Sequence, residues 1–372
     1  MVEARQVPFF NYPAMFSAHE EDYVRIFKDV GRRGAFIMQK DLKDFEANLA
    51  KFLGVKYAFG VADGTEAIVI ALQAAGVKPG DEVILPSHTY IATAASVHFV
   101  GATPVLADCG RDHMLCPMST RSLVTSRTKA IMPVQVNGRT CDMDAIQKIA
   151  SDHNLVIVED AAQGLGSKFK GKHAGTFGAA GTFSFYPAKV LGCFGDGGAV
   201  VTNDDRVAEQ ISILRDHGRD ASGLVVSWGY NSRLDNLQAA FLDFKLTSYP
   251  SEMLRRREIA GMYQKLLGNL RNLQLPPAPD SDPNYYDIYQ NYELEADDRD
   301  NLKAFLEKNG VRTLVQWSGK AIHQFEKLKL NFKPAYTEQM FKKCLMIPMN
   351  TTMSNEDVVY VAQTIESFYA SK

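Results

Sequence analysis

Two patterns of apolar residues alternate along the chain between about residues 56 and 216. Short runs rich in β-branched and aromatic side chains read as strands: KYAFGVAD (56–63), EVILP (82–86), TPVLAD (103–108), AIMPVQ (130–135) and LVIVED (155–160). Between them lie stretches with apolar positions at helical spacing. TEAIVIALQAAG (65–76) sets Ala67, Ile70, Ala71 and Ala74 on one stripe. TYIATAASVHFVG (89–101) and DMDAIQKIASDH (142–153) predict two more helices, and a Pro79-Gly80-Asp81 turn leads into the second strand. This alternation predicts βαβ units, and hence an α/β fold with a mainly parallel sheet covered by helices on both faces.

Near residue 245 the pattern changes. A polar helix is predicted over 251–270, then the turn-rich PPAPDSDPN (276–284) and a strand-like YYDIYQNYELEA (285–296). A helix over 299–310, a strand over 311–317 and a last helix over 355–370 complete the chain. The reading is a large domain over 1–248 and a small α+β domain over 249–372, with the N-terminal segment packing on the small domain. Arg255, Arg256 and Arg257 read as a solvated helix face, and Trp228 and Trp317 as packing residues.

Composition narrows the function. The 372 residues carry 41 Lys and Arg against 43 Asp and Glu, a net charge of −2. A dedicated nucleic-acid or anionic-membrane binder needs a strong positive field, so neither is expected. No apolar run reaches the roughly 18 residues of a membrane span, and no secretory signal is recognised at the start. The five cysteines, Cys109, Cys116, Cys141, Cys193 and Cys344, form no C-x-x-C pair. Free thiols in a reducing cytoplasm are expected, with no zinc cage and no metal site.

Open parallel sheets bind ligands at the carboxyl ends of their strands, and three such ends carry candidate chemistry. Asp63-Gly64-Thr65-Glu66 stands between a strand and a helix. Gly64 permits close backbone approach and the helix start offers N–H groups to a phosphate, although a plain cap with Thr65 at the N-cap gives the same pattern. Glu159-Asp160 brings two carboxylates to a strand end, where one could hold a cationic ring nitrogen, bind a metal or cap a turn. In Ser184-Phe185-Tyr186-Pro187-Ala188-Lys189, the lysine lies in an apolar, glycine-rich setting. Desolvation there would favour a neutral amine nucleophile, against the alternative of a surface lysine with a buried stem. Taken together, the phosphate donors, the carboxylate and the amine match what pyridoxal phosphate needs.

At these residues the chain resembles the DegT/DnrJ/StrS family of pyridoxal-phosphate-dependent nucleotide-sugar aminotransferases. The resemblance runs through ADGTEAI (62–68), ILPSHTYIATA (84–94), VEDAAQGLGS (158–167), GTFSFYPAKVLGCFGDGGAVVTND (181–204), RDHGRD (215–220) and GYNSRLDNLQAAFL (229–242). It implies a fold-type-I architecture with a seven-stranded-type large-domain sheet. It also implies covalent capture of pyridoxal 5'-phosphate as an aldimine on Lys189, with pyridoxamine 5'-phosphate as the carrier form. Asp160 would pair with the ring nitrogen, Tyr90 would stack on the ring and Gln163 would lie near its 3-hydroxyl. Gly64 and Thr65 would give backbone donors, and Ser184 a hydroxyl, to the phosphate. Asn231 would reach that phosphate from the neighbouring subunit of a homodimer with shared sites.

A segment like TLVQWSGKAIHQF (313–325) brings a substrate-side histidine in relatives, which maps to His323, although Trp317-Ser318-Gly319-Lys320 departs from the usual Tyr-Pro form. His217, in the loop before Asn231, suits a hinge or lid. The implied reaction moves an amino group from glutamate, leaving 2-oxoglutarate, to a nucleotide-linked keto sugar. Sugar dehydratases of the family carry His at the position of Lys189. The first βα turn lacks G-x-G-x-x-G, which argues against a dinucleotide-dependent dehydrogenase.

Overall fold

The computed structural model describes residues 5–330 and 332–370. Its main sheet has seven strands, numbered along the chain as β1 (Tyr57–Val61), β2 (Glu82–Pro86), β3 (Thr103–Ala107), β4 (Thr128–Ile131), β5 (Val156–Asp160), β6 (Ala180–Ser184) and β7 (Gly198–Thr202). Their spatial order is β1-β7-β6-β5-β4-β2-β3. All pairings from β6 through β5, β4 and β2 to β3 are parallel. Only β7 runs against its neighbours β6 and β1. The central strands are buried on both faces, which explains runs such as EVILP and GAVVT. Pro104 lies in β3, an edge strand paired only with β2, where its missing N–H leaves no gap in the ladder.

Helices Gly64–Ala74 and Ile91–Phe99 cover one face of the sheet and contribute Ala67, Ile70, Leu72 and Val97 to its core. On the other face, helix Lys40–Leu53 places Leu42, Phe45 and Leu49 against Phe183 and Phe185.

Helix Asn236–Leu267 is longer than the pattern predicts and passes through Pro250 without ending. Its first half packs in the core with Phe183 and Phe185, through Ala239, Leu242 and Tyr249. Its second half gives Ile259, Ala260 and Tyr263 to a second core with helices Arg299–Lys308 and Asn355–Ala370. A small antiparallel sheet, Leu273–Gln274, Tyr292–Ala296 and Cys344–Ile347, backs this second core. Val7 joins it and pairs with Val311.

The C-terminal half departs from the sequence pattern in three places. Residues 311–317 form isolated bridges at Val311 and Leu314 instead of a strand. The 285–296 run splits into Tyr285–Tyr286 and Tyr292–Ala296, because the residues between them bond to the large sheet's loops. Arg256 and Arg257 are buried, not solvated: Arg256 donates to the carbonyls of Tyr289, Gln290 and Met349, and Arg257 to that of Asp287. Trp228 is 96% exposed within the chain, so its expected packing role is not fulfilled there. Trp317 packs against His88 and Phe341. All five cysteines are free thiols. Among the described residues no helix is long and apolar enough to cross a membrane, and no cluster of three His, Cys, Asp or Glu suits a metal ion.

Candidate active site

β5 ends on the two carboxylates, and alternation along the strand sends them to opposite sides. Glu159 is fully buried and accepts hydrogen bonds from Gln135 Nε2 (2.8 Å) and from the backbone N–H groups of Gly175 (2.8 Å), Phe177 (2.6 Å) and Gly178 (3.2 Å). It anchors a loop. Asp160 accepts from Thr93 Oγ1 (2.7 Å) and from the Ala162 N–H (3.2 Å), and Thr93 Oγ1 pairs in turn with Thr89 Oγ1 (2.7 Å). Burial raises the Asp160 pKa above the ordinary carboxylate value, against the pull of Thr93, Ala162 and the charge on Lys189. Lys189 shows the mirror image. Burial lowers its pKa, and the charge on Asp160 opposes the shift. The two charges therefore sense each other across one desolvated space.

Lys189 lies in the turn after β6, and its backbone is gripped from both sides. Val190 N–H donates to Gln290 Oε1 (2.8 Å), and Gln290 Nε2 donates to the Ala188 carbonyl (2.8 Å). Gln163, Ser184, Lys189, Tyr249 and Gln290 line one cavity. Ser184, the last residue of β6, faces Gly64 so closely that a Cβ on Gly64 would stand 2.7 Å from Ser184 Cβ and 3.1 Å from its Oγ. The helix after β1 is capped by Asp63, not by Thr65. Asp63 Oδ1 accepts from the N–H groups of Thr65 (2.7 Å) and Glu66 (2.9 Å). The backbone donor expected at Thr65 is thus engaged within the protein.

Tyr90 caps the helix Ile91–Phe99 and is 55% exposed. Asn231 is exposed, next to a loop (221–229) whose residues are all exposed, and its backbone bridges to Asp216. His217, in the same bend, has φ +60 and donates its N–H to the Tyr230 carbonyl.

His323 differs from expectation. Its ring is almost fully buried, and both nitrogens have protein partners: Nδ1 with Ser87 Oγ (2.6 Å) and Nε2 with Glu338 Oε2 (2.7 Å). The His323 contact holds Glu338 below its ordinary pKa and therefore ionised, so Nε2 must be the donor. No ring nitrogen is left over for a substrate.

A model of the DegT/DnrJ/EryC1/StrS aminotransferase family matches residues 18–366. The chain belongs to this family. It is 39% identical over 317 residues to a dTDP-3-amino-3,4,6-trideoxy-alpha-D-glucose transaminase of Streptomyces venezuelae, covering 85% of this chain and 83% of the relative. It is 37% identical over 367 residues to a Geobacillus stearothermophilus protein named as a pleiotropic regulatory protein, covering 98% of each. The solved structure of S. venezuelae DesV in complex with a ketimine intermediate superposes with a TM-score of 0.93 at 34% identity, over 98% of both chains.

Family membership makes the chain a pyridoxal-phosphate-dependent transaminase, and the site residues of this aminotransferase fit that cofactor. A buried carboxylate with a raised pKa has room for a cationic partner such as a ring nitrogen. A half-buried lysine with a lowered pKa is a better amine nucleophile than a solvated one, and the Gly64–Ser184 approach is one that only a glycine permits.

Asp160, Lys189, Ser184 and Gly64 stand out as candidates from sequence, because each sits in a local motif. Thr93, Gln290 and Asn137 do not stand out. Thr93 carried a weak signal, lying one helical turn after Thr89. Gln290 contacts segments a hundred or more residues away and Asn137 is held by Asn291, 154 residues on, so neither leaves a local mark.

Proposed function

We propose that this aminotransferase moves an amino group from glutamate to a nucleotide-linked keto-deoxyhexose, at carbon 3 or carbon 4, in deoxyaminosugar biosynthesis. One observation carries the reading: Lys189 lines a cavity with Gln163 and Ser184, and Asp160, buried at the end of the neighbouring strand, is near enough for the two charges to act on each other. The relatives named as sugar transaminases support the substrate class. Bound pyridoxal phosphate supplies a reactive carbonyl carbon and an electron-withdrawing ring.

The protein's residues do the rest. Lys189 Nζ would hold the cofactor through that carbon and, as a free amine, would carry the proton that transamination moves. Asp160 keeps the ring nitrogen protonated. Ser184 and the Gly64 backbone would hold the phosphate, the Thr65 N–H being taken by Asp63, while Gln163 would meet the 3-oxygen and Tyr90 would cover the ring. A lysine at 189, where dehydratases of the family have histidine, favours transamination. The active unit is a homodimer in the cytoplasm, with Asn231 completing the partner's phosphate site. The loop carrying Leu224, Val225, Val226 and Trp228, between 56% and 96% exposed, is apolar surface suited to that contact.

The test uses the purified chain with pyridoxal phosphate. Borohydride reduction followed by peptide mass analysis is expected to fix the cofactor's mass on Lys189. Glutamate with a panel of dTDP-, UDP- and GDP-linked keto sugars is expected to yield 2-oxoglutarate and an amino sugar. Lys189→Ala should abolish both results. Labelling at Lys189 without turnover on any sugar would favour a binding or regulatory role, as the name of the Geobacillus relative suggests. Absence of labelling would overturn the reading.

A further inference from the structure

The loop after β4 holds an unusual backbone. Asn137 has φ +56 and Gly138 φ +84, two consecutive left-handed residues of which the first is not glycine. Residues 287–293 hold this loop in place. Ile288 N–H donates to the Gly138 carbonyl (2.9 Å), and a Cβ on Gly138 would stand 2.6 Å from the Gln290 nitrogen.

The Asn137 side chain is anchored at both ends. Its Oδ1 accepts from Asn291 Nδ2 (3.0 Å) and Gln316 Nε2 (2.8 Å), and its Nδ2 donates to Glu293 Oε2 (2.9 Å). Glu293 is buried and also accepts from Gln316 Nε2 (2.9 Å) and His113 Nδ1 (3.0 Å), with His88 Nε2 at 3.4 Å. His113 Nε2 reaches Glu295 (3.3 Å). The two histidines hold Glu293 well below the ordinary carboxylate range, so this anchor is ionised at neutral pH.

The anchored loop aims one group at the cleft: the Asn137 N–H donates to Gln163 Oε1 at 2.7 Å. A backbone N–H can only donate, so the Gln163 atom facing it must be the oxygen. Gln163 also lines the cavity with Ser184 and Lys189. The group left to meet a ligand is its amino group.

We propose that Asn137, anchored by Glu293, Gln316 and Asn291, is a positioning residue that fixes Gln163 as a hydrogen-bond donor. The cleft is thereby selective for an anionic ligand oxygen, which on the reading above is the ionised 3-oxygen of pyridoxal phosphate. The proposal rests on that reading. A donor locked in this direction favours the ionised form and lowers the protonation midpoint of the bound chromophore.

The experiment is a visible-absorption pH titration of the holoenzyme in four forms: wild type, Asn137→Gly, Gln316→Leu and Gln163→Glu. Asn137→Gly keeps the left-handed backbone and removes the anchor. Gln316→Leu removes one anchoring donor and keeps the test open should the first variant not fold. Both retain Asp160 and Lys189 in the cleft and Glu293, Glu295, His88 and His113 along the anchor, so a shift cannot come from deleting one of those charges. Asn137→Gly loosens the loop so that Gln163 is no longer fixed, and is expected to raise the midpoint by up to about one pH unit, the effect of losing the Gln163 hydrogen bond to a charged oxygen. Gln316→Leu should move it the same way, and Gln163→Glu at least as far as Asn137→Gly. A lowered melting temperature with an unmoved midpoint in the folded anchor variants would make the network merely structural and overturn the proposal. A wild type with no Lys189-dependent absorption band would overturn the functional reading itself, and this proposal with it.

Discussion

Replacing Gly64 with alanine tests whether the first βα turn and the end of β6 form one cradle. The added Cβ would lie 2.7 Å from Ser184 Cβ, 3.1 Å from Ser184 Oγ and 3.3 Å from Ser184 Cα. Carbon atoms settle at about 3.5–4.0 Å, so one side must retreat by about 1 Å. Ser184 cannot easily do so, because β6 is paired on both sides, with β5 and β7. The helix Gly64–Ala74 must move instead, although Ala67, Ile68 and Ile70 behind it are already buried. Overpacking of this kind costs about 1–3 kcal/mol, offset by up to about 1 kcal/mol from alanine's better helix propensity.

The net expectation is a melting temperature lowered by a few degrees and a much larger loss of cofactor. A misplacement of about 1 Å in a binding site costs up to about 100-fold. Pyridoxal phosphate affinity, followed by absorbance titration of the apo protein, should fall by about 10- to 100-fold. Gly261→Ala serves as control. That glycine lies inside the long helix with nothing within 4 Å of the added Cβ, so the change should stabilise slightly and leave affinity untouched. Wild-type affinity in Gly64→Ala would refute the cradle.

Asp160→Asn should keep the fold, because Thr93 Oγ1 can turn to accept from the new amide, while turnover falls by about 10²-fold or more. Removing the carboxylate also removes the charge that holds Lys189 protonated, so the Lys189 pKa should fall further; the pH dependence of Lys189 acylation in the apo protein measures this, and an upward shift would refute the pairing. His113 is raised to about 9 by Glu293 and Glu295, above its unfolded value near 6.5, so its stabilisation is complete below about pH 6.5 and is lost as pH rises through about 9. Urea midpoints between pH 6 and 10 should decline in wild type and lose that component of the slope in His113→Gln. Inactive Lys189→Ala chains refolded together with Asn231→Asp chains should regain partial activity, because one site of each mixed dimer is whole; no recovery in mixed dimers confirmed by mass would place Asn231 in its own subunit's site or outside the site.

The parts of the molecule that read well from sequence are those whose cause is local. The strand runs EVILP and LVIVED are buried on both faces, so their apolar content announces them. Asp160 stands out because it ends a strand, and Lys189 because it lies in the turn that follows one. What did not read has a distant cause. Three consecutive arginines look like a solvated face, yet Arg256 and Arg257 are drawn inward by the carbonyls of Asp287, Tyr289, Gln290 and Met349, which the small sheet leaves unpaired. The family resemblance points His323 toward the substrate, but Ser87 and Glu338 hold both of its nitrogens from positions 236 and 15 residues away. The strand expected over 285–296 is interrupted because Gln290 and Asn291 reach for Lys189's neighbours and for Asn137.

The opposing shifts of Asp160 and Lys189 bear on any cationic ligand that engages the carboxylate. Each group is penalised by burial, and each is the other's nearby compensating charge. Asp160 already takes a hydroxyl and a backbone N–H, so its remaining capacity suits one further strong partner. When Asp160 accepts a ring-nitrogen proton instead, Lys189 no longer has the anion to itself, and burial then favours its neutral amine. Occupying the carboxylate is therefore coupled to releasing the nucleophile. A lysine at 189 with a neutral residue at 160 would lack this coupling: burial alone would set its protonation. The pairing of an acid at the end of β5 with a lysine after the neighbouring β6 ties the lysine's protonation to whatever else the carboxylate engages, which a lone desolvated lysine cannot do.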